Sequence, residues 1–232
     1  MPASFPLIHL DNITKRYPLS EEEFYQALNE ISVTINEGEF VTIMGPSGSG
    51  KSTMMHIIGA LDSPSSGKYQ FKGKDISSYT EDQLAEIRNK EIGFVFQFFN
   101  LLSRTTVLKN VERPMIYAGV DQAERTKRAM EALDLVGIAD KANSLSNRIS
   151  GGQTQRVAIA RAIVMNPTII LADEPTGNLD SKTSHEIMEF FKKINGQGKT
   201  IVLITHEQEI AEYAKRIIKL VDGKIVSDTK KI

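Results

Sequence analysis

Cysteine is missing from all 232 residues. That removes disulfides, thiolate metal sites and a cysteine nucleophile, without by itself assigning a reducing compartment. Net charge is nearly missing too: 28 Lys and Arg against 29 Asp and Glu leave a formal −1, so no bulk field favours nucleic acid or anionic lipid. No stretch approaches the roughly 18 uninterrupted apolar residues of a membrane span. The opening "MPASFPLIHLDNITKRY" lacks a basic segment followed by an apolar core, so no secretory signal is read there. No internal repeat, low-complexity tract or linker interrupts the chain. What remains is enough chain for one large domain. Its 41% apolar and 25% charged residues read as an ordinary soluble, cytoplasmic protein.

Short β-branched runs fill the first third. Residues 7–13 and 31–35 read as strands, the second alternating Ile31, Val33, Ile35. "NEGE" then punctuates before "FVTIM", a buried-strand pattern that runs straight into a glycine loop. Residues 51–61 read as a helix and 68–73 as a strand. "TEDQLAEIRNK" opens with a capping-box pattern, Thr80 with Gln83, and "IGFVFQ" is another buried strand. A helical pattern follows from 106 to about 138, broken near "AGVDQ", where Asp121 can cap a second helix. The last third alternates: helix to 165, strand "TIILAD", helix 181–194, strand "KTIVLITH", a short helix, then a hairpin turning at Asp222-Gly223. Strands separated by helices predict a mostly parallel α/β core. The helical stretch 98–165 reads as a subdomain inserted into that core, within one domain spanning 1–232.

"GPSGSGKST" matches the phosphate-loop pattern G-x-x-x-x-G-K-[ST] between a predicted strand and a predicted helix. Its Gly45, Gly48 and Gly50 let backbone N–H groups point at phosphate oxygens unobstructed, with Ser47, Ser49 and Thr53 completing the cradle. The helix starting near Lys51 adds its N-terminal partial positive charge. Lys51 is placed to reach the β- and γ-phosphates, and the Ser52 hydroxyl to ligate Mg²⁺. A chance match in this length is on the order of one per cent.

"TIILADEP" sets Asp173 and Glu174 at the end of a buried strand, on the sheet edge where parallel α/β proteins bind ligands. Beside a phosphate loop, Asp173 reads as a Mg²⁺ ligand and Glu174 as the group that polarises the attacking water. Gln97 ends the strand "IGFVFQ" and His206 ends "IVLITH", so both can share that edge. Gln97 can offer its carbonyl oxygen to the metal or to water, and His206 can donate to a γ-phosphate oxygen. Tyr17, after the first strand, can stack on adenine. His9, His56 and His185 have no partner of known role and read as ordinary structural histidines.

A second cradle lies about a hundred residues on. "ISGGQ" precedes an apolar helical run, and Ser150 by itself is a plain helix cap. One nucleotide has only one triphosphate, so the duplication needs a reason. Phosphate loop, glutamine strand, "ISGGQ", "LADEP", "GNLD" and strand-end histidine follow in one fixed order.

In that order, and over residues 7–226, the chain resembles the nucleotide-binding subunit of ATP-binding cassette (ABC) transporters. The resemblance implies a P-loop NTPase core with a mostly parallel sheet, an N-terminal antiparallel β subdomain and an inserted α-helical subdomain. It implies an ATPase that binds ATP and Mg²⁺, and two copies that sandwich two ATP molecules head to tail. The second cradle then serves the partner's ATP. On this resemblance Tyr17 is the adenine-stacking residue, and Lys51 and Ser52 form the phosphate-loop pair. Gln97 contacts metal and water, while Ser150, Gly151, Gly152 and Gln153 form the signature. Asp173 is the metal aspartate, Glu174 the catalytic base, Asp180 part of the loop crossing the interface, and His206 the switch histidine. Ile149 replaces the family's usual leucine, and Thr154 and Phe98 stand where close relatives often carry glutamine.

"IGFVFQFFNLLSRTTVLKNVERPMIYAGV" and "ADEPTGNLDSKT" are similar to the lipoprotein-release and macrolide-export branch. There the ATPase drives a permease of few spans by mechanical transmission from the cytoplasmic face of the membrane. A cell-division-type signalling ATPase on a related permease shares the motifs. A DNA-maintenance ATPase needs a long coiled-coil or zinc-bearing insertion, and a translation factor of this family needs two cassettes. This chain has neither, so no nucleic-acid partner is expected.

Overall fold

A computed structural model describes residues 5–20 and 22–231; the first four residues of the stretch read for a signal lie outside it. Strands β1 (Ile8–Pro18) and β2 (Phe24–Ile35) pair antiparallel and are joined by β4 (Ser66–Phe71) and β5 (Lys74–Asp75) in a four-stranded antiparallel sheet ordered β2-β1-β4-β5. A second sheet is ordered β10-β9-β3-β8-β7-β6. In it β3 (Phe40–Met44), β6 (Ile92–Val95), β7 (Ile169–Asp173), β8 (Thr200–Thr205) and β9 (Arg216–Val221) run parallel, and β10 (Lys224–Lys230) closes one edge antiparallel.

The central strands are apolar without alternation because both their faces are covered. Ile169 and Leu171 of β7, with Val202 and Ile204 of β8, face helix α1 (Lys51–Ile58) and the antiparallel sheet in one apolar cluster. Their neighbours Ile170, Ala172, Ile201 and Leu203 face the other way, into a cluster with α3 (Val107–Tyr117), α4 (Gln122–Leu135), α5 (Gly151–Ile163) and α6 (Ser181–Gly196). The period of two along each strand thus sorts the sheet's side chains between two cores. Helix α2 (Glu81–Glu91) carries the expected capping box between Thr80 and Gln83, and Asp121 caps α4. A four-residue helix, α7 (Gln208–Ala211), follows β8.

Three of the differences in element ends from the sequence reading bear on the site. Strands β1 and β2 extend toward each other to Pro18 and Phe24, because cross-strand pairing continues over polar residues that carry no apolar alternation. Helix α1 stops at Ile58 rather than 61, since Ala60 takes φ 52 and the Leu61 and Asp62 amides turn back to the His56 carbonyl. Strand β6 stops at Val95, its last residue paired to β7, so Gln97 lies beyond the strand rather than at its end. There the Gln97 carbonyl accepts from Asn178 Nδ2 at 2.9 Å.

The hairpin at Asp222-Gly223, where both residues have positive φ, reaches back to the phosphate loop. The Gly223 amide donates to the Ser49 carbonyl (3.0 Å), and its own carbonyl accepts from the Asn29 amide (2.8 Å). Packing is tight enough that a Cβ on Gly45 would sit 2.1 Å from the Leu220 carbonyl oxygen, whereas one on Gly48 meets nothing within 4 Å. Gly45→Ala is therefore expected to destabilise the fold by about 3 kcal/mol, lowering Tm by about 6–12 °C. Gly48→Ala carries only the strain of its φ of +77, about 1–2 kcal/mol. Thermal denaturation of the two variants side by side checks the ranking.

Candidate active site

Strand β3 delivers the phosphate loop to the sheet edge, and Gly50, with φ 98, turns it into the first residue of α1. The first turn of a helix leaves its amides without intrahelical partners, and these are the donors a phosphate needs. The Lys51 ammonium is folded against its own loop, donating to the Gly45 carbonyl at 2.8 Å and the Pro46 carbonyl at 2.7 Å. Both bonds are ones that phosphate oxygens can replace. Beside the loop opens a cleft of about 520 Å³ whose lining includes Ser47, Lys51, Ser52, Thr53, Glu174 and His206.

Strand β7 ends with Asp173, and Glu174, which lines this cleft, follows in a left-handed conformation, φ 43. The turn is held by the Glu174 amide donating to the Ile204 carbonyl (2.9 Å) and the Gly177 amide donating to the Glu174 carbonyl (3.1 Å). Burial and the adjacent Glu174 carboxylate push Asp173 above the usual carboxylate range, against the opposite pull of His56 and Lys51. His56, read as structural, thus lies within electrostatic reach of the site. Two carboxylates crowded together, with a hydroxyl from Ser52 and an amide oxygen from Gln97, are hard oxygen donors of the kind Mg²⁺ takes. Ser52 and Gln97 line adjoining cavities that share Glu174 and His206. Among the described residues no group of three His, Asp or Glu side chains could hold a metal without further ligands.

His206 follows β8 directly, and its Nδ1 lies 2.9 Å from Glu174 Oε1. The carboxylate can only accept, so Nδ1 carries the proton. A neutral His206 in this pose offers Nε2 as a lone pair. It can donate to a γ-phosphate oxygen only as an imidazolium, or by releasing Glu174.

Tyr17 is half-buried, and its hydroxyl donates to Asp62 Oδ2 at 2.9 Å. Burial and that carboxylate raise its pKa. The Lys15 ammonium stands 5.0 Å from its ring centre. Directly across the β1–β2 pair is Tyr25, which the sequence reading passed over. Tyr25, not Tyr17, is in the lining of the cleft, with its hydroxyl 3.4 Å from the Gly48 carbonyl oxygen. The available signal was an aromatic on each side of a short polar turn, which is how a hairpin brings two rings together.

The second cradle is a capped helix start. Ser150 Oγ accepts from the Gln153 amide, and Gln153 Oε1 accepts from the Ser150 amide at 3.0 Å. Capping uses a lone pair of Ser150, so its O–H proton stays free to donate elsewhere. Asp180 caps α6 by accepting from the Thr183 amide and hydroxyl, which hold its carboxyl below the usual range. The two helix starts touch: a Cβ on Gly152 would lie 2.8 Å from Thr183 Cγ2, whereas one on Gly151 has only Leu179 at 3.9 Å. None of Ser150, Gly151, Gly152, Gln153 and Asp180 lines the cleft beside the phosphate loop.

Residues 28–177 match the family model described as ABC transporter. The chain is 56% identical over 220 residues to the ABC transporter ATP-binding protein YknY of Bacillus subtilis, covering 95% of each. It is 51% identical over 225 residues to the macrolide export ATP-binding/permease protein MacB of Chlorobaculum tepidum, covering 97% of this chain and 34% of that one. It thus spans about a third of the length of such permease-containing relatives. Among solved structures, the ATP-binding cassette MJ0796, dimeric in a post-hydrolysis state with ADP and Pi, superposes with a TM-score of 0.89 at 48% identity, covering 96% of this chain and 98% of that one.

Proposed function

Because this chain belongs to the ABC transporter family, as an ATP-binding ATPase of the macrolide-export type, we propose that two copies close head to tail around two ATP molecules and so drive a membrane permease. The separation of the two cradles carries this reading. Ser150–Gln153 line no part of the cleft that holds Lys51 and Glu174, so their donors are free for a nucleotide bound to another copy. The dimeric state named for MJ0796 supports the same arrangement.

In this reading Lys51 exchanges the Gly45 and Pro46 carbonyls for β- and γ-phosphate oxygens. The partner copy's Ser150 hydroxyl and first-turn amides of α5 meet the γ-phosphate from the opposite side, with Asp180 ordering the neighbouring helix start. The adenine rests against the Tyr17–Tyr25 edge. Ser52, Gln97 and Asp173 would hold Mg²⁺, which would screen the phosphate charge. Glu174 accepts the proton of the attacking water as the bond to the β-phosphate breaks. His206 begins on Glu174 and redirects its Nδ1–H hydrogen bond to a γ-phosphate oxygen, keeping the proton, which frees the carboxylate to face water. Hydrolysis removes the bridging charge, and the differential contacts that closed the dimer are lost.

The permease partner is supported by a groove of about 670 Å³ whose lining includes Phe94, Phe96, Pro114, Tyr117, Arg161 and Met165. Tyr117 and the nearby Phe98 are 71% and 74% exposed, large apolar surface at a site of partner contact. No helix among the described residues is long and apolar enough to cross a membrane; in this reading the permease holds the chain at the cytoplasmic face. Mechanical transmission, rather than passage of substrate through the ATPase, is the mode this reading assigns to the pair, with the likeness to a macrolide export ATP-binding/permease protein in its support.

The test is affinity purification from native membranes with ATP and Mg²⁺. Glu174→Gln is expected to retain a permease with few spans and a large outer domain. Adding Tyr117→Glu, which leaves the cleft untouched, is expected to reduce that recovery at least about ten-fold without altering ATP binding. Recovery of a many-spanning pore would overturn the transmission mechanism, and recovery of only DNA or ribosomes would overturn the transport reading.

A further inference from the structure

We propose that Gln155 is a positioning residue that links the helix gripping one nucleotide to the catalytic glutamate acting on the other. The inference rests on the head-to-tail reading above, in which Ser150–Gln153 engage the partner's ATP while Glu174 serves the ATP on its own phosphate loop.

Gln155 lies on α5 just after the signature residues and is completely buried. Its Nε2 donates to the Pro175 carbonyl at 2.7 Å. Pro175 immediately follows Glu174. The other end of the amide, Oε1, is buried without a hydrogen-bond partner among the described residues. A buried amide left half-satisfied costs stability that a hydrocarbon of the same shape would not. What the amide adds is the one bond to the catalytic turn.

That turn is a place where one bond matters. Glu174 holds φ 43, a conformation a non-glycine residue keeps only when its surroundings fix it. Strand β8 fixes it through the Ile204 carbonyl, and the loop itself through the Gly177 amide. Gln155 supplies a third tie, and this one comes from the signature helix. The same helix is anchored further along its length. Arg156 reaches the Val136 carbonyl (3.1 Å) and Glu186 (2.7 Å). Arg161 donates to the carbonyls of Phe99 (2.9 Å) and Asn100 (2.5 Å), two left-handed residues just past Gln97. Helix α5 therefore connects the second cradle, the Glu174 turn and the wall of the apolar groove as one hydrogen-bonded rod. When its N-terminus closes on the partner's nucleotide, any shift along the rod reaches Glu174 through the Pro175 carbonyl. Each site thus senses whether the other is filled.

The test uses the full chain, with steady-state ATPase measured against ATP concentration and ATP-dependent dimerisation measured in a Glu174→Gln background. Gln155→Met keeps length and packing but cannot donate. It is expected to lower kcat about 10- to 100-fold, to leave KM within about two-fold, and to bring a Hill coefficient above 1 down to about 1. The Glu174→Gln/Gln155→Met double variant is expected to dimerise with ATP as Glu174→Gln does. Gln155→Glu provides a second handle that a purely structural role would not move. Only its protonated carboxyl can donate to Pro175, and burial favours that form. Its kcat relative to wild type is expected to rise as pH falls from about 8 to about 6. Unchanged kcat and Hill coefficient in Gln155→Met would overturn the link. So would loss of the ATP dimer in the double variant, which would place the defect at the interface. If Glu174→Gln alone stays monomeric with ATP, the head-to-tail reading fails, and this coupling fails with it.

Discussion

Glu174→Gln is expected to reduce ATP turnover by about 10³-fold, within the range lost with a general base, while ATP binding persists. Glutamine keeps the length of the side chain, and its Oε1 can still accept the Nδ1–H of His206 that Glu174 Oε1 accepts now at 2.9 Å. The backbone ties of the turn, to Ile204 and Gly177, do not involve the side chain. What is lost is a group that can take a proton from water. With the γ-phosphate uncleaved, the charge bridging two copies stays in place, so the variant is expected to accumulate as a closed ATP dimer. Neutralising Glu174 also removes the like charge that helps push Asp173 upward, so repulsion within the site falls and closure tightens. Phosphate-release kinetics and size-exclusion chromatography with ATP and Mg²⁺ read the two effects separately. Turnover near the wild-type rate would remove Glu174 from the role of base.

Gly151→Glu is expected to abolish ATP-dependent dimerisation and to lower ATPase activity about 100-fold or more, with monomer ATP binding and Tm preserved. Two local facts make it cleaner than the same change at Gly152. A side chain at 151 meets only Leu179, at an ordinary contact distance of 3.9 Å, whereas at 152 it runs into Thr183 within its own chain. Residue 151 is also the first residue of α5, where a carboxylate interacts favourably with the helix dipole by about 0.3–1 kcal/mol. Physics within the chain therefore predicts a neutral or slightly stabilising change. The physics between copies predicts the reverse, because the new carboxylate stands where the partner's γ-phosphate arrives. At about 4 Å and an effective dielectric constant of 20, two unit charges repel by about 4 kcal/mol. Chromatography of Glu174→Gln/Gly151→Glu with ATP, beside a thermal melt, decides the matter. A retained ATP dimer would refute the trans arrangement. A lost dimer accompanied by a large fall in Tm would mean that the effect is one of folding.

Much of this was legible in the residues alone. The phosphate loop, the Asp173-Glu174 strand end and the capped start at Ser150 each combine local propensity with one spacing, and local information suffices to specify them. The order of elements was legible for the same reason, since continuous apolar strands alternating with amphipathic helices leave few arrangements besides a parallel sheet covered on both faces. Contacts between residues far apart in the chain were not legible, because no pattern in sequence encodes them. Tyr25 enters the cleft because β1 and β2 pair across polar positions, and His206 meets Glu174 because β7 and β8 are neighbours in the sheet. Gly45, readable as phosphate-loop chemistry, is also packed so closely against the carbonyl of Leu220, 175 positions away, that a Cβ would clash there. Gln155, which carries no signal of its own in the sequence, is buried against Pro175 by the fold. The sequence by itself determined which chemistry the chain carries. Tertiary structure alone decided which groups share a cavity and which lie outside it, because side-chain proximity is set by the packing of whole elements rather than by their local composition.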